Sequence, residues 1–434
     1  MRRHSLNPFK LGLAGLLLLA GFLNAAFPAA AQPLHPAIRS GPYLMLATEN
    51  NWKWSPAVAY APPHDLYLVV WETINTIDHH TIYGRLVTAA SQVYSEFVVY
   101  DSEHNSLQPG VAYDSVNDRF LVVWSYDSAG DGLDNDIYGR FIPWNGPSQA
   151  YPDFGIETSR ANTDKPRVAY GSTFNRFLVT WRVIGVIGDP KYPFEIAGGL
   201  IYNDTGNAKF VPISSGPEAR DFPDVTYNLY TNQFVVVWDE DVGRDAMDLD
   251  IYAARLNIDG VLQFPGEFAV TTSTSNEQHP TVAACYHTGQ YFIAWQQQVN
   301  QTTNDNIFGR MMSGGGVLDQ IYGFAGTTLP QQYPRLSCNP AGTEFFLAWQ
   351  DMYGANFYPR VGIWAEVVHL DKIVEPAFEV VRPSDTRDRL YPAVAYGRES
   401  ALVVWQHARD NTNYLDIWAQ VVRPHSIFVP VIKK

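Results

Sequence analysis

The sequence predicts an all-β protein built from seven copies of one four-stranded antiparallel unit. The first observation is a short apolar segment that begins with proline, such as PAVAY at residue 56, and that returns seven times. The second is that each copy is followed by an apolar segment that ends in tryptophan, such as FLVVW, which ends at Trp124. The third is that no helical periodicity of useful length follows the N-terminal segment.

The strands of each unit follow from composition and spacing. The repeats begin near seven prolines, which are Pro56, Pro109, Pro166, Pro223, Pro280, Pro334 and Pro392. We call the segment that starts at the proline strand A and the segment that ends in tryptophan strand B. A third segment of the type DIYGR (136–140) is strand C, and a weaker one such as FVVY (97–100) is strand D. These segments are rich in β-branched and aromatic residues and are bounded by turn residues, as strands are.

The repetition predicts a seven-bladed β-propeller, because four-stranded units repeated four to eight times are typical of that fold. The last repeat lacks a strand D after Val422. The segment YLMLATENNWKWSP (43–56) has the order strand, polar loop and proline that joins strand D to strand A elsewhere. We therefore expect an N-terminal strand to close the ring, which removes two exposed sheet edges. The tail 424–434 is the alternative donor of this strand.

The N-terminus has the pattern of a secretory signal. A basic stretch precedes thirteen apolar residues, and Ala29 and Ala31 stand at a small-residue cleavage site. We expect a signal peptide over 1–31, cleaved after Ala31, a propeller over 32–423 and a secreted or cell-surface location. The apolar run is shorter than the roughly 20 residues that cross a bilayer. Cys285 and Cys338 either form one bridge or remain thiols, and the sequence leaves both open.

The blade segments P-x-V-A-Y, F-L-V-V-W and D-I-Y-G-R resemble the repeats of many exported bacterial β-propeller proteins. The resemblance covers roughly 43–423 and implies the fold and export, but it assigns no catalytic residue. The formal net charge is −14. Nucleic acids and anionic membranes need a positive surface on their partner, so the charge disfavours both. A glycan or another exported protein is the expected partner.

Function is expected where the blades differ from one another. In a propeller the B–C loops and the D–A loops lie on one face, which is the default ligand face. The candidate ligand-binding residues there are Trp52, Trp54, His79, His80, His104, Tyr126 and His407. We expect a binding module without catalysis. The alternative is a carbohydrate-active enzyme, a glycoside hydrolase or polysaccharide lyase, with its site at the mouth of the central channel.

Calcium is the one cofactor that the sequence suggests. Asp127, Asp131, Asp134 and Asp136 supply the oxygen density that calcium needs, although their spacing is not that of an EF-hand. A solvated acidic loop is the alternative, and residues 239–250 hold a similar cluster. His79, His80, His104 and His407 belong to neighbouring blades, but no spacing among them supports a zinc site.

Residues that recur in every blade are expected to serve the scaffold. The seven strand-B tryptophans are predicted to fill the space between blades, and the alternative is that they stack on sugars. The arginines of strand C, at 85, 140 and 310, are predicted to pair with acids of the next blade.

Overall fold

The computed structural model shows a seven-bladed β-propeller of four-stranded antiparallel sheets, which confirms the predicted fold class. It describes residues 39–424 except 76–78, 148–150, 160, 187–193, 203–207, 244–247, 300–304, 325–328, 354–359, 372–373, 383–386 and 410–413. The predicted signal peptide and residues 425–434 of the predicted tail lie outside the described residues.

The inner strands of blades 1 to 7 are the A strands. They are β2 (Trp52–Ala61), β6 (Ser106–Asp114), β10 (Ala161–Gly171), β14 (Arg220–Asn228), β18 (Glu277–Cys285), β22 (Gln331–Cys338) and β26 (Arg389–Tyr396). The B strands follow. They are β3 (Leu66–Ile74), β7 (Arg119–Asp127), β11 (Arg176–Val186), β15 (Gln233–Asp241), β19 (Gln290–Gln298), β23 (Glu344–Tyr353) and β27 (Ala401–Ala408).

Strands C and D complete each sheet outward. The C strands are β4 (His80–Thr88), β8 (Asn135–Pro143), β12 (Glu195–Tyr202), β16 (Leu249–Asn257), β20 (Asp305–Ser313), β24 (Arg360–His369) and β28 (Leu415–Arg423). The D strands are β5 (Phe97–Tyr100), β9 (Asp153–Glu157), β13 (Ala208–Pro212), β17 (Leu262–Ala269), β21 (Tyr322–Phe324), β25 (Phe378–Val381) and, in blade 7, β1 (Arg39–Ala47).

The N-terminal strand closes the ring, as predicted. The order of the seventh sheet is β1-β28-β27-β26, so the first described strand is the outer strand of the last blade. Leu44 lies opposite Ala419 and Met45 opposite Trp418. Leu46 is completely buried. Blade 7 therefore joins both ends of the propeller, and opening it exposes the core of the ring.

The strand-B tryptophans pack between the blades. All seven are 0 to 1% exposed, which confirms the packing interpretation over sugar stacking. Strand β3 is buried along its whole length. Its apolar run LYLVVW faces a neighbouring blade on each side, so it does not alternate between apolar and polar residues.

The strand-C arginines join adjacent blades, but not through acids as predicted. Arg140 Nη1 donates to the carbonyl of Val99 in the preceding blade at 2.8 Å, and Arg310 Nη1 to that of Val270 at 2.7 Å. Arg85 does the same with Leu46. The outer strand of a sheet has carbonyls that its own ladder leaves unpaired, and a guanidinium supplies the missing donors.

One disulfide joins two blades. Cys285 ends β18 and Cys338 ends β22, and their Cα atoms lie 5.4 Å apart. This distance is in the usual range for a disulfide. The bridge settles the choice that the sequence left open and ties the inner strands of blades 5 and 6.

Candidate functional site

The two adjacent histidines of blade 1 contact acids of the scaffold. His80 Nδ1 lies 2.7 Å from Glu72 Oε1. Glu72 is buried, and its second oxygen accepts a hydrogen bond from the backbone N–H of Gln108 in blade 2 at 2.9 Å. His79 Nε2 lies 3.5 Å from Asp101 Oδ1. His80 therefore belongs to a brace between blades 1 and 2.

His104 and Tyr126 lie together in blade 2. His104 Nδ1 is 3.1 Å from the carbonyl of Ser128, and its ring centroid is 6.3 Å from that of Tyr126. Tyr126 also packs against Tyr100 and Tyr138, with ring centroids 5.6 and 5.1 Å away. The pair forms part of an aromatic cluster among strands B, C and D.

The remaining candidates lie in blades 1 and 7. His407 is 3% exposed and stacks on Trp418 with ring centroids 4.1 Å apart. Trp52 packs against Tyr414 at 5.0 Å. Trp54 is 45% exposed and lines the central channel. Of the predicted ligand-binding residues, Trp54 alone lines this channel within the described chain.

The acidic loop of blade 2 bonds to its own backbone. Asp127 accepts hydrogen bonds from the N–H groups of Gly130 at 2.9 Å, Asp131 at 3.2 Å and Gly132 at 3.1 Å. Burial raises the pKa of Asp136 to about 6. These hydrogen bonds occupy both oxygens of Asp127. Short acidic side chains in loops often bond to nearby backbone N–H groups in this way.

No metal site is evident in the described ranges. They contain no group of three or more His, Cys, Asp or Glu side chains that could hold a metal ion. The calcium hypothesis, which included Asp134, and the zinc hypothesis thus gain no support from this geometry. Asp245, in the similar cluster of blade 4, lies outside the described residues.

The structure reveals a ring of channel residues that sequence reasoning missed. In every blade the residue before the repeat proline has a positive φ of 49° to 54° and lines the channel. These seven residues are Ser55, Gln108, Lys165, Phe222, His279, Tyr333 and Tyr391. The sequence carries a signal for them, because the proline is constant and the residue before it differs in almost every blade.

A bulge in each strand A produces this conformation. In blade 1 the register against strand B shifts between Trp54 and Ala57, and the other six A strands shift at the same place. A bulge bends the strand and re-aims one side chain. Left-handed backbone is costly for a bulky residue, so the surrounding contacts must hold it.

The preceding blade supplies these contacts. In four blades the residue after the strand-B tryptophan accepts a hydrogen bond from the bulged N–H of the next blade. Asp239 accepts from His279 N at 3.1 Å, and Gln296 accepts from Tyr333 N at 3.0 Å. Glu72 and Gln350 do the same for Gln108 and Tyr391. A polar residue after the tryptophan therefore positions four members of the channel ring.

Blades 2 and 3 depart from this rule. After blade 2, the N–H of Lys165 donates to Gln108 Oε1 at 2.9 Å rather than to Ser125. Blade 3 has Arg182 after its tryptophan, and a guanidinium cannot accept a hydrogen bond. Arg182 Nη1 instead lies 2.7 Å from Asp221, and its other nitrogens contact Asp164. Asp221 then accepts the hydrogen bond from Phe222 N at 2.6 Å. Lys165 Nζ joins this network 2.5 Å from Asp221.

The seven A strands enclose a central channel of about 890 Å³. Its mouth, at the bulges, opens on the face that carries the B–C and D–A loops. The two sets of loops meet there, as the 2.9 Å bond from Asp127 N to Asn105 O shows. The volume is in the range of small-molecule sites, which are usually concave and partly apolar.

Four rings of consecutive blades form an aromatic arc at this mouth. The arc consists of Phe222, His279, Tyr333 and Tyr391. Ring centroids are 3.9 Å apart for the first pair and 4.6 Å apart for each of the next two. Lys165 Nζ lies 3.6 Å from the centroid of the Phe222 ring and places a positive charge at this end of the arc. Blades 3 to 7 thus present one continuous surface of ring faces and polar tips.

Burial keeps the two central groups of the arc neutral. It lowers the pKa of His279 to about 3, and the charges of Arg335 and Lys165 act in the same direction. Burial also raises the pKa of Tyr333 above its ordinary value. Neither group is a strong base at neutral pH, since an efficient general base has a pKa near the working pH.

Carboxylates are scarce in the channel. Asp224 is the one acid among the described lining residues. Its Oδ2 accepts from Thr281 Oγ1 at 2.9 Å and from Val282 N at 3.0 Å. Burial and the nearby Asp221 raise the pKa of Asp239 to about 7, but this side chain is buried and does not line the channel. Glycoside hydrolysis usually needs two carboxyl groups that flank the scissile bond.

Comparisons with known proteins support the fold. No family model matches the sequence. The chain is similar to a fungal alcohol oxidase of the AA5 family in complex with copper, with a TM-score of 0.54 and 10% identity over 89% of this chain and 76% of that chain. It is also similar to polysaccharide lyase Uly1, with a TM-score of 0.50 and 8% identity over 85% of this chain and 90% of that chain.

A third similar structure is the β-propeller domain of the Trilobed protease from Pyrococcus furiosus, with a TM-score of 0.49, 8% identity and coverage of 89% of this chain and 99% of that chain. At such low identity the first two similarities establish the fold alone. Within the described ranges, no helix has the length and apolarity that a membrane crossing requires.

Proposed function

We propose that the protein binds a glycan at the mouth of its central channel, on the face formed by the B–C and D–A loops. The aromatic arc is the observation that carries this proposal. Sugar rings have apolar faces that stack on aromatic side chains, while tyrosine hydroxyls and imidazole nitrogens reach the sugar hydroxyls. A concave surface with a few placed polar groups is the usual form of a small-molecule site.

Binding explains the chemistry of the channel better than hydrolysis does. The described lining has one carboxylate, Asp224, which already accepts hydrogen bonds from blade 5. The neutral His279 is suited to donate and accept hydrogen bonds and poorly suited to remove a proton. A carbohydrate-active enzyme is therefore the second candidate, and release of a shortened or unsaturated product would reveal it.

We also propose that the protein is exported. The sequence pattern of residues 1–31 supports this, since it has the regions of a secretory signal. The bridge between Cys285 and Cys338 agrees with it, because disulfides persist in oxidising compartments. Fractionation of expressing cells followed by N-terminal sequencing tests the proposal, and a chain that stays in the cytoplasm and still begins at Met1 contradicts it.

Screening the purified protein on a glycan array tests the binding site. We expect retention of a defined glycan class without product release. Tyr333→Ala and Tyr391→Ala should each weaken binding at least tenfold, which corresponds to about 1.4 kcal/mol. Tyr230→Ala is the matched control, because Tyr230 is 73% exposed in the A–B turn on the opposite face.

Two results would contradict the proposal. One is that the array retains no glycan. The other is that a retained glycan binds both arc variants as tightly as the native protein, while their melting temperatures are unchanged. In the second case the ligand lies elsewhere on the surface.

A further inference from the structure

Two arginines line the channel beyond the aromatic arc. Arg167 and Arg335 follow the repeat prolines of blades 3 and 6, two residues further along strand A than the ring of bulged residues. Each Nη1 donates to the carbonyl of its own preceding proline at 2.9 Å. Neither guanidinium forms a salt bridge with any residue that the structure describes. Several of their N–H donors therefore remain for a ligand, because a guanidinium has five.

The nearby acids are already committed to other groups. Asp224 bonds to Thr281 and Val282 of the next blade. Asp221 contacts Lys165 and Arg182 at the mouth. A buried charge is normally paired one to one, but these two largely buried guanidinium groups share a single nearby carboxylate, Asp224, whose charge acts favourably on both.

The two arginines also act on each other. Burial lowers the pKa of Arg335 to about 10, and the positive charge of Arg167 contributes in the same direction. Burial lowers the pKa of Arg167 as well. The charge of Asp224 acts in the opposite direction on both groups. Two arginines and one carboxylate leave a net positive charge in the channel, which a bound anion would balance.

We propose that the bound glycan is acidic and that its anionic group, a carboxylate or a sulfate, is held by the guanidinium groups of Arg167 and Arg335. This inference rests on the proposed function, since the arc must first bind the sugar ring. Guanidinium is the side chain best matched to oxyanions, because its planar fork donates two parallel hydrogen bonds. Stacking at the mouth and charge pairing inside the channel would then select the sugar and its substituent separately.

An array with three matched arms tests the inference. It carries neutral oligosaccharides, oligogalacturonates beside their methyl esters, and sulfated oligosaccharides beside their desulfated forms. We expect retention of one acidic arm and at least a tenfold loss on esterification or desulfation. The arm that is retained distinguishes a carboxylate ligand from a sulfate ligand.

Variants assign the effect to the channel. Arg167→Gln and Arg335→Gln should each weaken acidic binding at least tenfold and leave neutral binding unchanged. Arg335→Lys should recover part of the loss, because it restores the charge without the fork. Arg398→Gln is the control, since Arg398 is exposed at the opposite face. Unchanged melting temperatures show that the variants fold.

The outcomes separate the two proposals. If neutral glycans bind as tightly as acidic ones and Tyr391→Ala weakens that binding, the proposal of an acidic ligand is overturned. The proposed glycan site then stands. Acidic binding that is insensitive to Arg167→Gln and Arg335→Gln also overturns the inference. Retention of no glycan in any arm overturns the proposed function and this inference with it.

Discussion

Glu366 is expected to make the stability of the propeller depend on pH. It lies on β24 opposite Leu347, and it is 6% exposed. The position of Glu366 in strand C is occupied by Arg140 in blade 2 and by Gln420 in blade 7. Each of these two side chains donates a hydrogen bond to a backbone carbonyl. A carboxylate cannot donate, whereas a protonated carboxyl can.

The size of the effect follows from the pKa of this group. Burial raises the pKa of Glu366 from 4.5 to about 8. The folded protein therefore holds a proton between these values that the unfolded chain has lost. The free energy of unfolding falls as the pH rises through this window, by up to about 5 kcal/mol at about 1.4 kcal/mol for each pKa unit. Rearrangement around the charge makes this an upper bound.

Glu366→Gln should remove the contribution of this group and leave that of other buried acids such as Asp239. At pH 9 we expect the variant to be more stable than the native protein by about 3 to 5 kcal/mol, because glutamine keeps the shape and never ionises. At pH 5 the difference should be under about 1 kcal/mol, since the native carboxyl is then protonated. Urea unfolding at pH 5, 7 and 9, followed by tryptophan fluorescence, measures both differences.

Two control variants make the test specific. Gln420→Glu places a carboxyl at the matching position of blade 7 and should introduce a loss of stability at high pH. Glu103→Gln changes an exposed acid and should have no effect. If the native protein and Glu366→Gln lose stability in parallel from pH 5 to 9, Glu366 is not the group responsible and the reasoning is refuted.

Four further predictions concern the scaffold and the arc. Trp124→Ala should destabilise the protein by about 3 to 5 kcal/mol in urea unfolding, and a smaller cost would argue against its packing role. Replacing Cys285 and Cys338 by serine should cost about 4 kcal/mol, with the reduced native protein as the comparison. Leu46→Ala should cost about 2 to 5 kcal/mol, whereas an unchanged midpoint would show that β1 does not close the ring. His279 should give glycan affinity no pH dependence from pH 5 to 8, because its pKa of about 3 lies below that range. Calorimetry over this range on the native protein and on His279→Gln checks it.

The interpretation of individual loops from sequence was less successful than that of the repeats. Asp127 stands in a loop rich in oxygen donors, yet its carboxylate bonds to three backbone N–H groups. The path of the loop backbone decides this, and composition does not reveal that path. His80 and His407 likewise lie among polar loop residues in the sequence, while the fold places one against Glu72 and the other on Trp418.

The sequence by itself determined the architecture. Strand pattern is local, and one unit that recurs every 50 to 60 residues defines both the blade and the number of blades. The missing strand D after Val422 and the strand-like segment near Leu44 even predicted how the ring closes. These features depend on short-range periodicity and on counting, so they could be inferred without coordinates.

Only the tertiary structure decided the candidate site. Phe222, His279, Tyr333 and Tyr391 are more than 50 residues apart from one another in the chain, and ring closure brings them into one arc. The bulge before each proline turns a residue that looks like part of a strand into a channel residue. Burial then sets the charge of each group there, and burial is a property of the assembled ring rather than of any segment.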